Sequence, residues 1–171
     1  MAPITQYATI GAGGDKPTPC VDEPTVECCI PVYSNGIEDD GLYGYTNRAK
    51  AKAGSTTISA RGTIGYVCLR TCDYVPIVRL ISVTPKRGVS SHYLYLYLRT
   101  LHIEGVGSTQ QQLTAPMVKG YNVPLASADE MATFDEKVKP LFDLIDQTRT
   151  EITLLQELKQ GMLTEIAGAV G

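Results

Sequence analysis

Three places in the sequence carry exposed-type polar side chains that could contact a ligand from a predicted turn or loop. Arg61 stands at a predicted corner between two strands, Asn35 stands at a predicted turn, and Gln110, Gln111 and Gln112 form an uncharged run. Side-chain amides can contact base edges, adenine in particular, but they can equally tie a loop to its own backbone. A lone arginine at a turn can likewise be a solvated surface residue. Both interpretations stay open until the surrounding sequence is considered.

The corner at Arg61 is predicted from the segment STTISARGTIGYVCLR, residues 55–70. This segment contains two β-branched runs, 56–59 and 63–69, which favour strands. Gly62 between them can adopt a positive φ at little cost, so the pair is predicted to form a tight hairpin or a bulged bend. Such a corner would hold Arg61 out of the sheet on a rigid support.

Charge is distributed unevenly along the chain. The formal net charge is −3, but residues 41–120 hold ten basic and two acidic side chains, a balance of +8. Residues 1–40 and 121–171 have balances of −6 and −5. A basic segment between two acidic ones indicates an anionic partner, of which a phosphate backbone is the simplest. An acidic protein surface, or charges scattered around the domain, would give the same count.

Composition predicts a soluble globular protein of one ordinary domain, with room for an appendage. Hydrophobic residues make up 43% of the chain, and no apolar run reaches the roughly 18 residues of a membrane helix. The five cysteines include no C-x-x-C pair and favour structural thiols in a reducing cytosol. A catalytic pair among Cys68, Cys72, His92 and His102 is the weaker alternative, because no orienting motif accompanies it.

Short strands and one helix are predicted in the segments before and after the Arg61 hairpin. Strands are expected at four places: residues 4–10, 28–33, 74–84 and 121–125. Ser90 or Ser91 should cap a helix with an apolar stripe at i, i+3, i+4 spacing, formed by Tyr93, Leu94, Tyr97, Leu98 and Leu101. The glycine run at 11–14 is followed by prolines where a phosphate-binding helix would begin, so it does not predict a nucleotide loop.

The C-terminal part predicts one long amphipathic helix. Ser127 and Glu130 fit a capping box, and the helix should run from about residue 128 to about residue 167, with a restart or kink at Pro140. Apolar residues fall on the a and d positions of a heptad repeat: Val138, Leu141, Ile145, Ile152, Leu155, Met162 and Ile166. A helix of about four heptads is longer than a small domain needs, which predicts a partner helix. A helix folded back along its own domain is the alternative.

Taken together, these segments resemble one half of the specificity subunit of a type I restriction–modification enzyme. The resemblance lies in IPVYSNGI, GYT, TISARGTIGYV, PIVRLISVTP, YLYLYL and GSTQQQLT, which follow one another between residues 30 and 114. An NVPLAS segment then leads into the long helix. Each motif alone is a weak signal, but together the motifs occur in the family's order and cover nearly the whole chain.

The resemblance implies a mixed α/β fold with a strongly twisted, mainly antiparallel sheet and short helices, followed by a long coiled-coil-forming helix. Residues 1–126 would form a target recognition domain that binds double-stranded DNA, and residues 127–171 a helical spacer and dimerisation region. Such a subunit is not catalytic and needs no cofactor or membrane. It directs methyltransferase and restriction subunits to a bipartite site in the bacterial or archaeal cytoplasm.

The length of the chain departs from the family's pattern of two recognition domains and two long helices. The chain would be a half-length subunit that forms a homodimer or pairs with a second half through its helix, a fragment of a longer chain, or a remnant that no longer assembles. In the first case two-fold symmetry would make the bipartite target palindromic. A module that does not bind DNA and recruits a protein through its helix is the main rival.

Residue roles transfer poorly within this family, because the base-contacting residues vary from protein to protein. The predicted base contacts are Arg61, Asn35, Gln110, Gln111 and Gln112. The predicted phosphate contacts, which would position DNA without specifying its sequence, are Lys50, Lys52, Lys86 and Arg87. Tyr43 and Tyr45 could stack on bases or be buried.

Overall fold

The computed structural model describes residues 1–105, 111–124 and 126–169. The chain divides into two compact units, Met1–Ala132 and Thr133–Gly171. The strands of the described part are β1 (Ala2–Pro3), β2 (Ala8–Ala12), β3 (Ile30–Tyr33), β4 (Leu42–Thr46), β5 (Thr56–Ile58), β6 (Val67–Leu69), β7 (Val75–Pro76), β8 (Ile81–Pro85) and β9 (Asn122–Val123). Its α-helices are α1 (Ile4–Tyr7), α2 (Ser91–Thr100), α3 (Ala115–Lys119) and α4 (Ala128–Ala169).

Two sheets and a short strand pair form the first unit. The four-stranded sheet has the order β2-β8-β5-β6 and is antiparallel throughout. The three-stranded sheet has the order β4-β3-β7, in which β3 and β7 are parallel. β1 pairs with β9. The predicted fold class is confirmed: a mixed α/β unit with mainly antiparallel strands and short helices, followed by a long C-terminal helix.

The main core lies between α2 and the four-stranded sheet. Leu94 and Leu98 of α2 are fully buried in the same cluster as Ile58, Ile81 and other strand residues. The predicted helix cap is confirmed, because the Ser90 hydroxyl accepts a hydrogen bond from Tyr93 N (2.9 Å). This cap satisfies one of the free N–H groups at the start of the helix.

The N-terminal segment differs from the strand predicted at residues 4–10. Ile4–Tyr7 is a single helical turn, and β2 begins only at Ala8. Both Ile4 and Tyr7 are buried, as expected for the i, i+3 spacing of one helix face. Ile4 N donates to Tyr121 O (2.9 Å), so a contact distant in sequence fixes this turn.

The single strand predicted at residues 74–84 is in fact two strands that belong to different sheets. β7 pairs with β3, whereas β8 pairs with β2 and β5. Between β7 and β8, Val78 and Arg79 have φ angles of 50° and 63°, which end the extended conformation. The β-branched composition of the segment gives no sign of a left-handed turn at these two positions.

The hairpin around Arg61 is confirmed in type but is less tight than predicted. β5 and β6 pair antiparallel, with Thr57 opposite Cys68, and residues 59–66 form the connection between them. Gly62 and Gly65 have φ angles of 67° and 83°. A Cβ on Gly65 would lie 2.7 Å from Ile103 O, so only glycine lets the connection approach that backbone.

The long helix α4 begins at the predicted capping box. Ser127 Oγ accepts from Glu130 N (3.2 Å), and the Glu130 carboxylate accepts from Ser127 N (2.7 Å). The backbone N–H of Ser127, and then its hydroxyl, lower the pKa of Glu130. Met131 in the first turn belongs to the core of the first unit. The helix then continues through Pro140 to Ala169.

A buried arginine, Arg70, links the two larger sheets. Arg70 follows β6 directly and is only 3% exposed. Its guanidinium carbon lies 3.6 Å from the ring centre of Tyr33 in β3. Its Nε donates to Thr57 Oγ1 in β5 (2.9 Å), and its Nη2 donates to Asp40 O (2.8 Å). One side chain therefore contacts both sheets and the loop between β3 and β4.

Replacing Arg70 with lysine should lower the free energy of unfolding by about 2–4 kcal/mol, because an ammonium group cannot stack on Tyr33 and bond two separate acceptors at once. Denaturant titration followed by circular dichroism measures this loss. Arg99→Lys is the matched control: Arg99 is exposed on α2, and the expected change is below about 0.5 kcal/mol. Equal losses in the two variants would contradict the role of Arg70.

Candidate nucleic-acid interface

Arg61 lies at the surface of the first unit, on the connection between β5 and β6. Backbone bonds fix this connection on both sides of Arg61: Ala60 N donates to Asn35 Oδ1 (2.7 Å), and Gly65 N donates to Ser59 O (3.0 Å). Nη2 of Arg61 donates to Gln112 Oε1 (3.2 Å). The side chain is exposed, so its guanidinium is positioned and still accessible to a ligand.

Two of the three predicted glutamine contacts lie beside Arg61. Gln111 is exposed and Gln112 is half-buried, and both line an open cavity with Arg61. Leu113 N donates to Ala60 O (3.0 Å), which joins the glutamine segment to the Arg61 connection across the sequence. Gln110, like residues 107–109 of the GSTQ motif, lies outside the described residues. The structure therefore brings together Arg61, Gln111 and Gln112.

The amide of Asn35 bonds to the protein itself. Its Nδ2 donates to Val78 O (2.8 Å), and its Oδ1 accepts from Ala60 N (2.7 Å). Asn35 thus connects the turn after β3 to the Arg61 connection and to the turn between β7 and β8. This is the tying role that amides can have in loops. A base contact by Asn35 stays a prediction, and the structure gives this residue a positioning role.

A second cavity shares Arg61 with the first. Its described lining includes Arg61, Lys16 and Arg79, with Asp15 as the acidic member. Lys16 Nζ also lies 4.9 Å from the ring centre of Tyr43, a residue that is 48% exposed. Neither Lys16 nor Arg79 stands out in the sequence, because Lys16 lies in an acidic block and Arg79 in a predicted strand. The glycine run next to Lys16 is the available signal, and by itself it indicates only a loop.

The cavities described here do not bring the four predicted phosphate contacts together. Lys50 lines a third cavity together with Arg48. Lys52 is paired with Asp73 at 2.6 Å, and this bond is the main reason that the pKa of Asp73 is lowered. Lys86 and Arg87 follow β8, whereas Arg79 precedes it, and a strand of this length spans about 17 Å. The phosphate contacts stay predictions at all four positions.

A tyrosine on the Arg61 connection anchors its far end. Tyr66 OH donates to Asp40 Oδ1, and this bond, followed by burial, raises the pKa of Tyr66 to about 12. A phenol is protonated at neutral pH even with its ordinary pKa, so the raised pKa of Tyr66 extends its donation to the Asp40 carboxylate further into the alkaline range. Because Asp40 O also accepts from Arg70, the connection and the buried arginine share one neighbour.

The described part of the chain holds neither a cluster of metal ligands nor a helix able to span a membrane. No group of three or more His, Cys, Asp and Glu side chains there is arranged to hold a metal ion. No described helix combines the length and the apolar character needed to cross a membrane.

Known proteins of one kind match this chain. A sequence model of the type I restriction modification DNA specificity domain matches residues 10–160. S.MpnORF89P, described as a type I specificity subunit of Mycoplasma pneumoniae, is 29% identical over 151 residues, which are 88% of this chain and 45% of the relative. The C-terminal specificity-subunit chain S.MpnORF289P of the same organism is 31% identical over 122 residues, which are 71% of this chain and 83% of the relative.

A solved structure shows the same fold. The crystal structure of the HsdS subunit from Thermoanaerobacter tengcongensis superposes with a TM-score of 0.61 at 13% sequence identity. The match covers 86% of this chain and 38% of that chain. The chain thus spans less than half the length of this subunit and of S.MpnORF89P.

Asn35→Asp should lower the free energy of unfolding by about 1–3 kcal/mol, because aspartate keeps the acceptor for Ala60 N but puts an oxygen opposite Val78 O. Denaturant titration at neutral pH measures the change. Asn47→Asp is the control, since Asn47 is an exposed loop residue and should be nearly neutral. A neutral Asn35→Asp variant would contradict the positioning role.

Proposed function

Because the chain belongs to the family of type I restriction–modification DNA specificity domains, we propose that it recognises one half of a bipartite site on double-stranded DNA. It would direct a methyltransferase subunit and a restriction subunit to that site. In this role the chain is itself non-catalytic, needs no cofactor, and acts in the cytoplasm of a bacterium or archaeon. A DNA-independent assembly module is not favoured by the relatives.

The observation that carries the proposal is the exposed Arg61, positioned by its hydrogen bond to the half-buried Gln112 and lying beside the exposed Gln111. An arginine can donate two hydrogen bonds to guanine, and a glutamine amide can both donate to and accept from adenine. The backbone bonds around Arg61 reduce the conformational freedom that binding would remove. These side chains could therefore distinguish base pairs rather than only neutralise phosphates.

The helix of the second unit supports a proposal about assembly. Its apolar side chains at heptad positions are exposed by about half or more: Leu141 58%, Ile145 46%, Ile152 49%, Leu155 64%, Met162 55% and Ile166 60%. Val138 is half-buried. Exposed apolar residues at a and d positions are the seam that a second helix covers in a coiled coil. The partner would be the helix of a second copy, or that of a second half-subunit.

Arg61→Ala should weaken binding to a duplex selected from a random pool by about tenfold or more, and binding to unselected duplex much less, because a bidentate base contact carries about 1–3 kcal/mol of discrimination. Selection with the purified chain supplies the preferred duplex, and fluorescence anisotropy measures both affinities. Arg99→Ala is the control, since Arg99 lines neither of the two described cavities that contain Arg61.

An equal loss on both duplexes would make Arg61 a phosphate contact without a role in recognition. If the unaltered chain bound no duplex, the DNA role would be wrong and the assembly module would take its place. Under the DNA role, the affinity of the unaltered chain for duplex should fall steeply with ionic strength, because its lysines and arginines neutralise phosphates. Binding to a protein partner by an assembly module would not depend on phosphates in this way.

The double variant Ile145→Asp, Ile152→Asp should turn a dimer into a monomer, because it places four carboxylates in the seam between two copies. Light scattering of the purified chain measures the mass. Leu154→Asp is the matched control: Leu154 is 59% exposed on the same helix but lies off the a and d positions. An unchanged mass in the double variant would contradict the coiled coil.

A further inference from the structure

The turn between β7 and β8 has an unfavourable backbone conformation. Val78 and Arg79 both have positive φ, at 50° and 63°. Such angles are uncommon for any residue other than glycine, and for a β-branched residue like valine they are a genuine outlier. Strained backbone of this kind is concentrated at functional sites, where the surrounding structure holds it in place.

Contacts from two other loops hold this turn. Val78 N donates to Gly14 O (2.9 Å), and Arg79 N donates to Gly13 O (3.1 Å). Gly13 fits so closely that a Cβ there would lie 2.7 Å from the backbone of Pro76. Asn35 Nδ2 donates to Val78 O (2.8 Å). The glycine run is therefore a support for this turn.

The buried residues on either side leave the turn itself at the surface. Ile77 and Leu80 are each 1% exposed, whereas Val78 and Arg79 are exposed. The left-handed backbone angles of Val78 and Arg79 end the extended conformation between the buried Ile77 and Leu80. The side chain of Arg79 therefore stays at the surface instead of entering a sheet. Arg79 consequently lines the same cavity as Arg61 and Lys16.

We propose that the Val78–Arg79 turn is a DNA-contacting element in which Arg79, together with Lys16, binds backbone phosphates next to the bases contacted by Arg61. This inference rests on the proposed function and adds two residues and a supporting loop to it. Three cations and one carboxylate among the described lining residues give the cavity a net positive charge. A phosphate backbone fits this charge, and the shared cavity places it beside Arg61.

Arg79→Asn is the decisive variant, because asparagine tolerates a positive φ and so preserves the turn while the charge is removed. The probe is a random-sequence 30-base-pair duplex, and the full chain is titrated at several NaCl concentrations from 50 to 200 mM. Loss of one phosphate contact should reduce the slope of log K against log salt by about 0.9. Lys16→Gln should give a similar reduction, and Arg79→Lys should keep most of the slope.

Arg99→Gln is the control for charge alone, since it removes one cation from the exposed face of α2 and should leave the slope unchanged. Thermal unfolding of each variant separates a folding defect from a lost contact. A folded Arg79→Asn variant with the slope of the unaltered chain would overturn the inference while leaving the Arg61 proposal intact. Failure of the unaltered chain to bind any duplex would overturn both.

Discussion

The buried guanidinium of Arg70 is the interaction on which the arrangement of the first unit depends. It stacks on Tyr33 of one sheet and donates a hydrogen bond to Thr57 of the other. Because Arg70 is almost fully buried, its guanidinium is not available to a ligand at the surface. A planar cation with several donors can bond neighbours in different directions at once, which a hydrophobic side chain cannot do. The segments that carry the candidate interface begin at the strands that Arg70 joins: β3 leads into Asn35, and β5 leads into Arg61.

Asn35 and the turn at residues 78–79 extend this linkage to the surface. Asn35 bonds to both the Arg61 connection and the Val78 carbonyl, and the glycine run bonds to the same turn from the other side. Four segments from distant parts of the sequence are therefore joined to one another by hydrogen bonds. A surface built in this way can hold a few polar side chains in fixed positions although the strands behind it are short.

Local signals in the sequence predicted the elements that local interactions determine. The Ser90 cap, the Ser127–Glu130 capping box, the long helix and the β5–β6 hairpin all follow from residues within a few positions of one another. The break at Val78 and the helical turn at Ile4–Tyr7 were missed because contacts with Gly13, Gly14 and Tyr121 determine them. The candidate site shows the same division. Arg61 and Gln112 were predicted individually, but the hydrogen bond between them joins residues 51 positions apart and has no local signal. Lys16 lies in an acidic block and Arg79 in a segment predicted as one continuous strand, so neither was predicted to line the site.

The dipeptide Asn35-Gly36 also has a consequence for the chemical lifetime of the protein. Asparagine followed by glycine is prone to deamidation, in which the glycine nitrogen attacks the side-chain carbonyl carbon and ammonia leaves. Here the Asn35 amide is held by two hydrogen bonds, and Gly36 N donates to Ser59 Oγ (3.5 Å). Both reacting groups are therefore engaged elsewhere in the folded state. Deamidation at this site therefore requires the hydrogen bonds of Asn35 and Gly36 to open first, which ties the rate of ammonia loss to local opening of this turn.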